Sequence, residues 1–297
     1  MLGYRHAFHA GNHGDVLKHC ILIFCLEYLK QKDKAFYYID THAGAGEYSL
    51  NNGYAAQNRE WEQGISRLYA PKQGQSFDQS QNLDRDTVQT EGPHPSIPLP
   101  VSAYIECCGS FLERGFYPGS PAIAKALLRK QDRGFCFELH PADHQMLQRF
   151  LSENKRFQIR GEDGFKGLIS LLPPLTRRAC ILIDPSYELK SDYTALPHCL
   201  EAAFKRFPSG TYIVWYPLLG RKEAQQLPSV LTALKPENYC RLELAVTSSN
   251  ASPWGMYGSG IIVFNPPWEL KEQAESSLTF LASFLGDKNA SWNMEWH

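Results

Sequence analysis

Seven short apolar runs separated by amphipathic stretches constrain this chain more than any other feature. The runs lie at 35–39, 134–137, 156–160, 179–183, 211–215, 241–246 and 260–264. They are rich in β-branched and aromatic side chains, and several are almost uninterrupted in hydrophobicity. Strands covered on both faces of a parallel sheet read this way. Helix-like stretches at 143–151, 164–172, 195–207 and 221–234 separate several of them. The alternation predicts an α/β fold: a doubly wound, mostly parallel seven-stranded sheet with helices on both faces. A further helix is expected over 14–30, ahead of the first run. Asn12 or Asp15 can cap it, and Val16, Cys20, Ile23, Phe24 and Leu29 recur at near-helical spacing.

One region breaks the alternation. Residues 51–111 supply no clear strand; their ends, 57–68 and 102–112, look helical, and their middle, 71–100, is rich in Gln, Asp, Ser, Pro and Gly. So few apolar groups cannot repay the entropy of ordering that middle. The expected organisation is one core, residues 1–53 with 112–297, carrying an inserted helical subdomain at 54–111 with a long polar loop at about 71–100.

Composition excludes several classes. The formal net charge is −1, so any nucleic-acid surface is a local patch and not a global field. The eight cysteines include no CxxC pair and sit in apolar or element-like stretches, as reduced core residues of a cytoplasmic protein do. No signal pattern opens the chain, and the apolar run 21–26 is too short to span a bilayer, so no membrane partner is expected. His6, His9, His13 and His19 crowd the N-terminus, but their spacing fits no common zinc site and no metal is expected.

Three of the runs end in an acid: Asp40, Glu138 and Asp184. In open α/β sheets ligands bind beyond the carboxyl ends of the strands. After Asp40 comes Thr41-His42-Ala43-Gly44-Ala45-Gly46, small enough for a ligand to approach the backbone. Ser49 stands where the dinucleotide fingerprint needs its third glycine, which disfavours a nicotinamide oxidoreductase and suits a ligand without a pyrophosphate, such as S-adenosylmethionine. Glu138 can accept from ribose hydroxyls. Asp163, before Gly164, can accept from an adenine amino group. The sharpest signal is Asp184-Pro185-Ser186-Tyr187. A carboxylate and a carbonyl fixed by Pro185 can take both hydrogens of an exocyclic amino group, and the Tyr187 ring can stack on the base. Tyr4, Arg5, His6 and Lys18 suit phosphate and base contacts, and His19 can face the cofactor pocket.

Taken together, MLGYRHAFHAGNHGDVLKH, DTHAGAGEY, YPGSP at 117–121, GEDGF at 161–165 and DPSYE at 184–188 resemble the RlmJ family. Those proteins are 23S ribosomal RNA adenine-N6 methyltransferases of the Rossmann-like class I kind. The resemblance covers nearly the whole chain. It implies Asp184 as the catalytic residue and His19, His42, Ser120, Glu138, Asp163 and Gly164 as the S-adenosylmethionine pocket. Tyr4, His6 and Lys18 would face the 23S rRNA substrate, with Pro185 and Tyr187, and a monomer without metal is expected. It also implies a small helical insertion after the first strand. Two departures stand out. The family usually shows DPPY where this chain has Ser186, and the polar stretch near 71–100 is longer than usual. The alternatives are a DNA adenine methyltransferase and a non-catalytic RNA-binding protein that retains the pocket.

Overall fold

The computed structural model describes residues 5–69, 96–235, 237–249 and 255–297. Its centre is an eight-stranded sheet. In chain order the strands are β1 (Tyr37–Asp40), β4 (Arg133–Phe137), β5 (Phe157–Arg160), β6 (Ala179–Ile183), β7 (Thr211–Leu218), β8 (Tyr239–Ala245), β9 (Gly258–Phe264) and β10 (Ser291–Trp296). Across the sheet they run β10-β8-β9-β7-β6-β1-β4-β5. The pairs within β7-β6-β1-β4-β5 are parallel, while β9 is antiparallel to both β7 and β8. A two-stranded antiparallel ribbon, β2 (Glu47–Ser49) with β3 (Phe116–Pro118), stands apart.

Side chains alternate between the two faces of the sheet, as the period of two requires. Tyr38, Cys180 and Leu182 join the core under α1 (His13–Lys30), α5 (Pro141–Leu151) and α9 (Leu270–Leu285). Ile39, Ile181 and Ile183 join the opposite core, under α6 (Gly164–Leu171), α7 (Asp192–Arg206) and α8 (Lys222–Leu234). Every residue of β6 is buried. Apolar burial is worth roughly 25 cal/mol per Å² removed from water, so β6 anchors whatever follows it. Helix α1 is buried from Gly14 to Leu26, because the sheet lies below it and α3 (Leu99–Leu112) and α4 (Ser120–Leu127) lie against it. Asn12 caps it, its side chain accepting from the Asp15 amide. Among the described residues no helix is long and apolar enough to cross a membrane.

Two expectations are corrected. The seven expected strands form, and β10 adds an eighth at the edge. Its alternation Ser-Trp-Asn-Met-Glu-Trp presents Trp292, Met294 and Trp296 to the core, the half-covered pattern of an antiparallel edge. The helix expected over 57–68 is instead α2 (Ala55–Asn58) followed by single turns at Glu60–Glu62 and Ile65–Arg67. Arg59 takes a left-handed conformation that interrupts the helix. Most of the polar stretch 71–100 lies outside the described residues.

Candidate active site

The parallel register brings the ends of β1, β4, β5 and β6 to one edge of the sheet. The loops beyond them are stitched together by backbone bonds. The Thr41 amide donates to the Leu182 carbonyl (3.1 Å), the Ala43 amide to Phe137 (2.9 Å), and the Glu138 amide to Arg160 (3.1 Å). Asp40, Thr41, His42, Glu138 and Asp184 therefore belong to one edge of the sheet.

The β1 loop turns through left-handed glycines. Gly44 has φ +61°, and a Cβ there would stand 2.1 Å from the Tyr48 hydroxyl oxygen, so only glycine fits. The loop is fixed from the β4 side by Glu138, whose Oε2 accepts from the Gly44 amide (2.8 Å) and whose Oε1 accepts from the His140 amide (2.7 Å). Burial raises the Glu138 carboxyl above its usual range, against the pull of these two amides. Asp40, fully buried, accepts from the Tyr38 and Ser120 hydroxyls, both at 2.6 Å. Ser120 thereby ties the start of α4 to the end of β1. Burial raises the Asp40 carboxyl too, with both hydroxyls opposing.

Asp163 caps α6, its Oδ1 accepting from the amides of Phe165 (2.9 Å) and Lys166 (3.3 Å). Gly164 is explained by packing: a Cβ there would lie 1.9 Å from the Thr41 carbonyl oxygen. The close approach expected at this glycine is thus met by the β1 loop itself. His42 contacts the Phe165 ring and the Thr41 hydroxyl (2.8 Å), and burial lowers its imidazole to about 4. His19, on α1, stacks on Tyr117 and bonds its hydroxyl through Nδ1 (2.8 Å); Tyr117 in turn meets Tyr104 (3.0 Å). His19 Nε2 is buried without a hydrogen-bond partner among the described residues. Burial lowers this imidazole to about 3, so it is neutral at physiological pH.

Asp184 follows β6, its side chain 13% exposed. Lys18 Nζ donates to its Oδ2 (2.6 Å) and lies 2.7 Å from Asp15 Oδ1. Asp15 also takes His6 Nε2 (2.9 Å) and the Gly11 amide (2.8 Å) on Oδ2. Burial opposes both charges, yet the carboxylates hold the Lys18 ammonium above its usual range, and His6 and Lys18 hold Asp15 well below its own. Among the described residues Asp184 Oδ1 has no hydrogen-bond partner, so the carboxylate keeps one oxygen to offer.

Three substrate-facing expectations change here. Lys18 is only 4% exposed and clamped between carboxylates, so it orients Asp184 and does not reach out to phosphate. His6 keeps 21% of its side chain exposed, but its Nε2 is engaged by Asp15. Tyr187 is 0% exposed, its ring packed near Tyr193 and Trp215 and its hydroxyl donating to the Trp215 carbonyl (2.6 Å); it has no open face for a base. Pro185 is buried beside it, and Tyr4 lies outside the described residues. Asp15 was singled out only as a helix cap; its spacing of three residues from Lys18 on one helix face was the signal for the pair. Among the described residues no group of three or more His, Cys, Asp or Glu side chains could hold a metal ion.

A family model described as "Ribosomal RNA large subunit methyltransferase D, RlmJ" matches residues 33–83 and 96–297. The ribosomal RNA large subunit methyltransferase J of Haemophilus influenzae is 38% identical over 301 residues, covering 100% of this chain and 99% of that protein. The protein of the same name from Escherichia coli is 39% identical, covering 98% and 99%. Among solved structures, protein LPL1258 of Legionella pneumophila superposes with a TM-score of 0.81 at 31% identity, covering 97% of this chain and 98% of that one.

Proposed function

The chain belongs to the RlmJ family of ribosomal RNA large subunit methyltransferases, and on that premise we propose that it transfers a methyl group from S-adenosylmethionine to the N6 amino group of an adenine in 23S rRNA. The observation that carries this reading is Asp184: a carboxylate beyond the buried end of β6, held on one oxygen by Lys18 and, among the described residues, without a hydrogen-bond partner on the other.

The residues fit the cofactor chemically. Glu138 has used one acceptor site on each oxygen for backbone amides, which leaves lone pairs for two ribose hydroxyls. His19 Nε2 is a buried polar atom without a hydrogen-bond partner among the described residues. Glu138, His42, Asp163, the Gly44 loop and His19 would hold the group. When bound, S-adenosylmethionine supplies an electrophilic methyl carbon on its sulfonium.

The chain's own part is positioning and electrostatics. Asp184 Oδ1 and the Pro185 carbonyl accept the two amino hydrogens and aim the nitrogen lone pair at the methyl donor. These bonds strengthen as the nitrogen gains positive charge, so they favour the transition state over the bound substrate. As the N–C bond would form, the S–C bond would break, leaving neutral S-adenosylhomocysteine, and the methylated, acidic ammonium gives its proton to Asp184 Oδ1 and thence to water, so no strong base is needed. Asp184 is recessed, so the adenine must leave any stack to reach it. Free or precursor rRNA in the cytoplasm permits this, and one copy of the chain carries every group named. Residues 54–111 are assigned as an insertion on the 1–53 and 112–297 core; the β2–β3 ribbon at its base supports this.

Incubation of the protein with tritiated S-adenosylmethionine and either naked 23S rRNA or duplex DNA tests the proposal. Label in rRNA, recovered as N6-methyladenosine, is expected. Label in DNA alone, or at another atom of the base, would overturn it.

A further inference from the structure

The turn bearing Asp184 is held by a residue that neither motif nor family assigns. Tyr187 has φ +55°, a left-handed conformation that a bulky aromatic residue rarely adopts and that its surroundings must enforce. Inside, the Tyr187 hydroxyl is fixed on the Trp215 carbonyl. Outside, Arg221, the residue before α8, donates Nη2 to the Tyr187 carbonyl (2.8 Å), and its guanidinium lies over the Tyr193 ring at 5.1 Å. A second, exposed tie runs from Lys190 to Glu223 at 2.7 Å, a kind of pair that contributes little.

Within the turn the Asp192 carboxylate accepts from the Tyr187 and Leu189 backbone, but Ser186 itself adds little restraint. Residue 186 is a serine, not a second proline beside Pro185. Its hydroxyl lies 3.5 Å from the Glu188 amide, at the limit of a hydrogen bond. A proline would fix φ and remove freedom from the turn; serine does neither.

We propose that Arg221 is a positioning residue for the Asp184–Tyr187 turn, supplying from α8 the rigidity that Ser186 does not supply from within. Arg221 acts through the Tyr187 carbonyl and touches no reacting atom. The planar guanidinium suits the task, because it can stack on Tyr193 and donate sideways at once, which an ammonium cannot do as well. The inference rests on the reading of Asp184 given above.

Four proteins decide it: wild type, Arg221→Ala, Ser186→Pro and the double variant. Two readouts are used: steady-state methyl transfer to 23S rRNA, and amide hydrogen exchange of residues 184–190 in the ligand-free protein. Arg221→Ala should lower kcat about tenfold with KM for S-adenosylmethionine within about twofold, as loss of transition-state alignment does. The double variant should recover to within about threefold of wild type. Exchange should quicken in Arg221→Ala and slow again in the double variant. Because exchange needs no turnover, the clamp stays testable even if wild type fails to methylate rRNA. A kcat near wild type in Arg221→Ala, a loss that appears only in KM for RNA, or a loss that Ser186→Pro does not relieve would overturn the proposal.

Discussion

Lys18 and Asp184 are 166 positions apart in the chain and 2.6 Å apart in space, Nζ to Oδ2. The same ammonium lies 2.7 Å from Asp15, which is 1% exposed. One lysine thus joins the first turns of α1 to the end of the buried strand β6.

Removal of Lys18 therefore leaves the buried Asp15 with only His6 and the Gly11 amide, and Asp184 without its cation. Lys18→Met should cost roughly 3–5 kcal/mol of stability, the scale of breaking a buried pair on one side, and should abolish most methyl transfer. Urea unfolding beside turnover checks this. A lysine that merely touched phosphate would instead leave stability intact and change only RNA affinity and its salt dependence.

Gly164 answers to sterics. Gly164→Ala places a methyl 1.9 Å from the Thr41 carbonyl oxygen, and backbone cannot yield as a side chain does. The expected loss is roughly 1–3 kcal/mol from overpacking, with weaker S-adenosylhomocysteine binding because the β1 loop is displaced. Thermal unfolding and calorimetry measure the two effects; an alanine variant with native stability and affinity would contradict this placement.

Acid should destabilise the fold through its buried imidazoles. His19 is held neutral, with its folded value lowered to about 3, below the unfolded value near 6.5. The unfolded chain takes up the proton first, so this contribution is complete above about pH 6.5 and falls as pH drops towards the folded value. Between pH 6.5 and 5 it amounts to at most about 2 kcal/mol, at 1.36 kcal/mol per unit. His19→Gln should flatten the stability curve over that window in urea titrations. An unchanged slope would count against a neutral buried His19.

The sheet was readable because β6 and its neighbours are short, apolar and covered on both faces. Strand β10 hid because its apolar residues alternate with polar ones. At the site, the residue types at the ends of β1, β4 and β6 were legible, but their orientations were not. Tyr187, Lys18 and His6 carry the chemistry of base and phosphate contacts, yet packing buries the first two and Asp15 engages the Nε2 of His6. Arg221 was invisible for a different reason: its partner is a backbone carbonyl, and no side-chain pattern records that.

The central claim rests on one carboxylate, and its most direct test is Asp184→Asn and Asp184→Ala with 23S rRNA, turnover and S-adenosylhomocysteine affinity being measured on the same preparations. The account predicts that both variants lose at least about a hundredfold in kcat, on the scale of removing a transition-state hydrogen-bond acceptor, while cofactor affinity stays within about threefold. Methyl transfer by Asp184→Ala at close to the wild-type rate would contradict it.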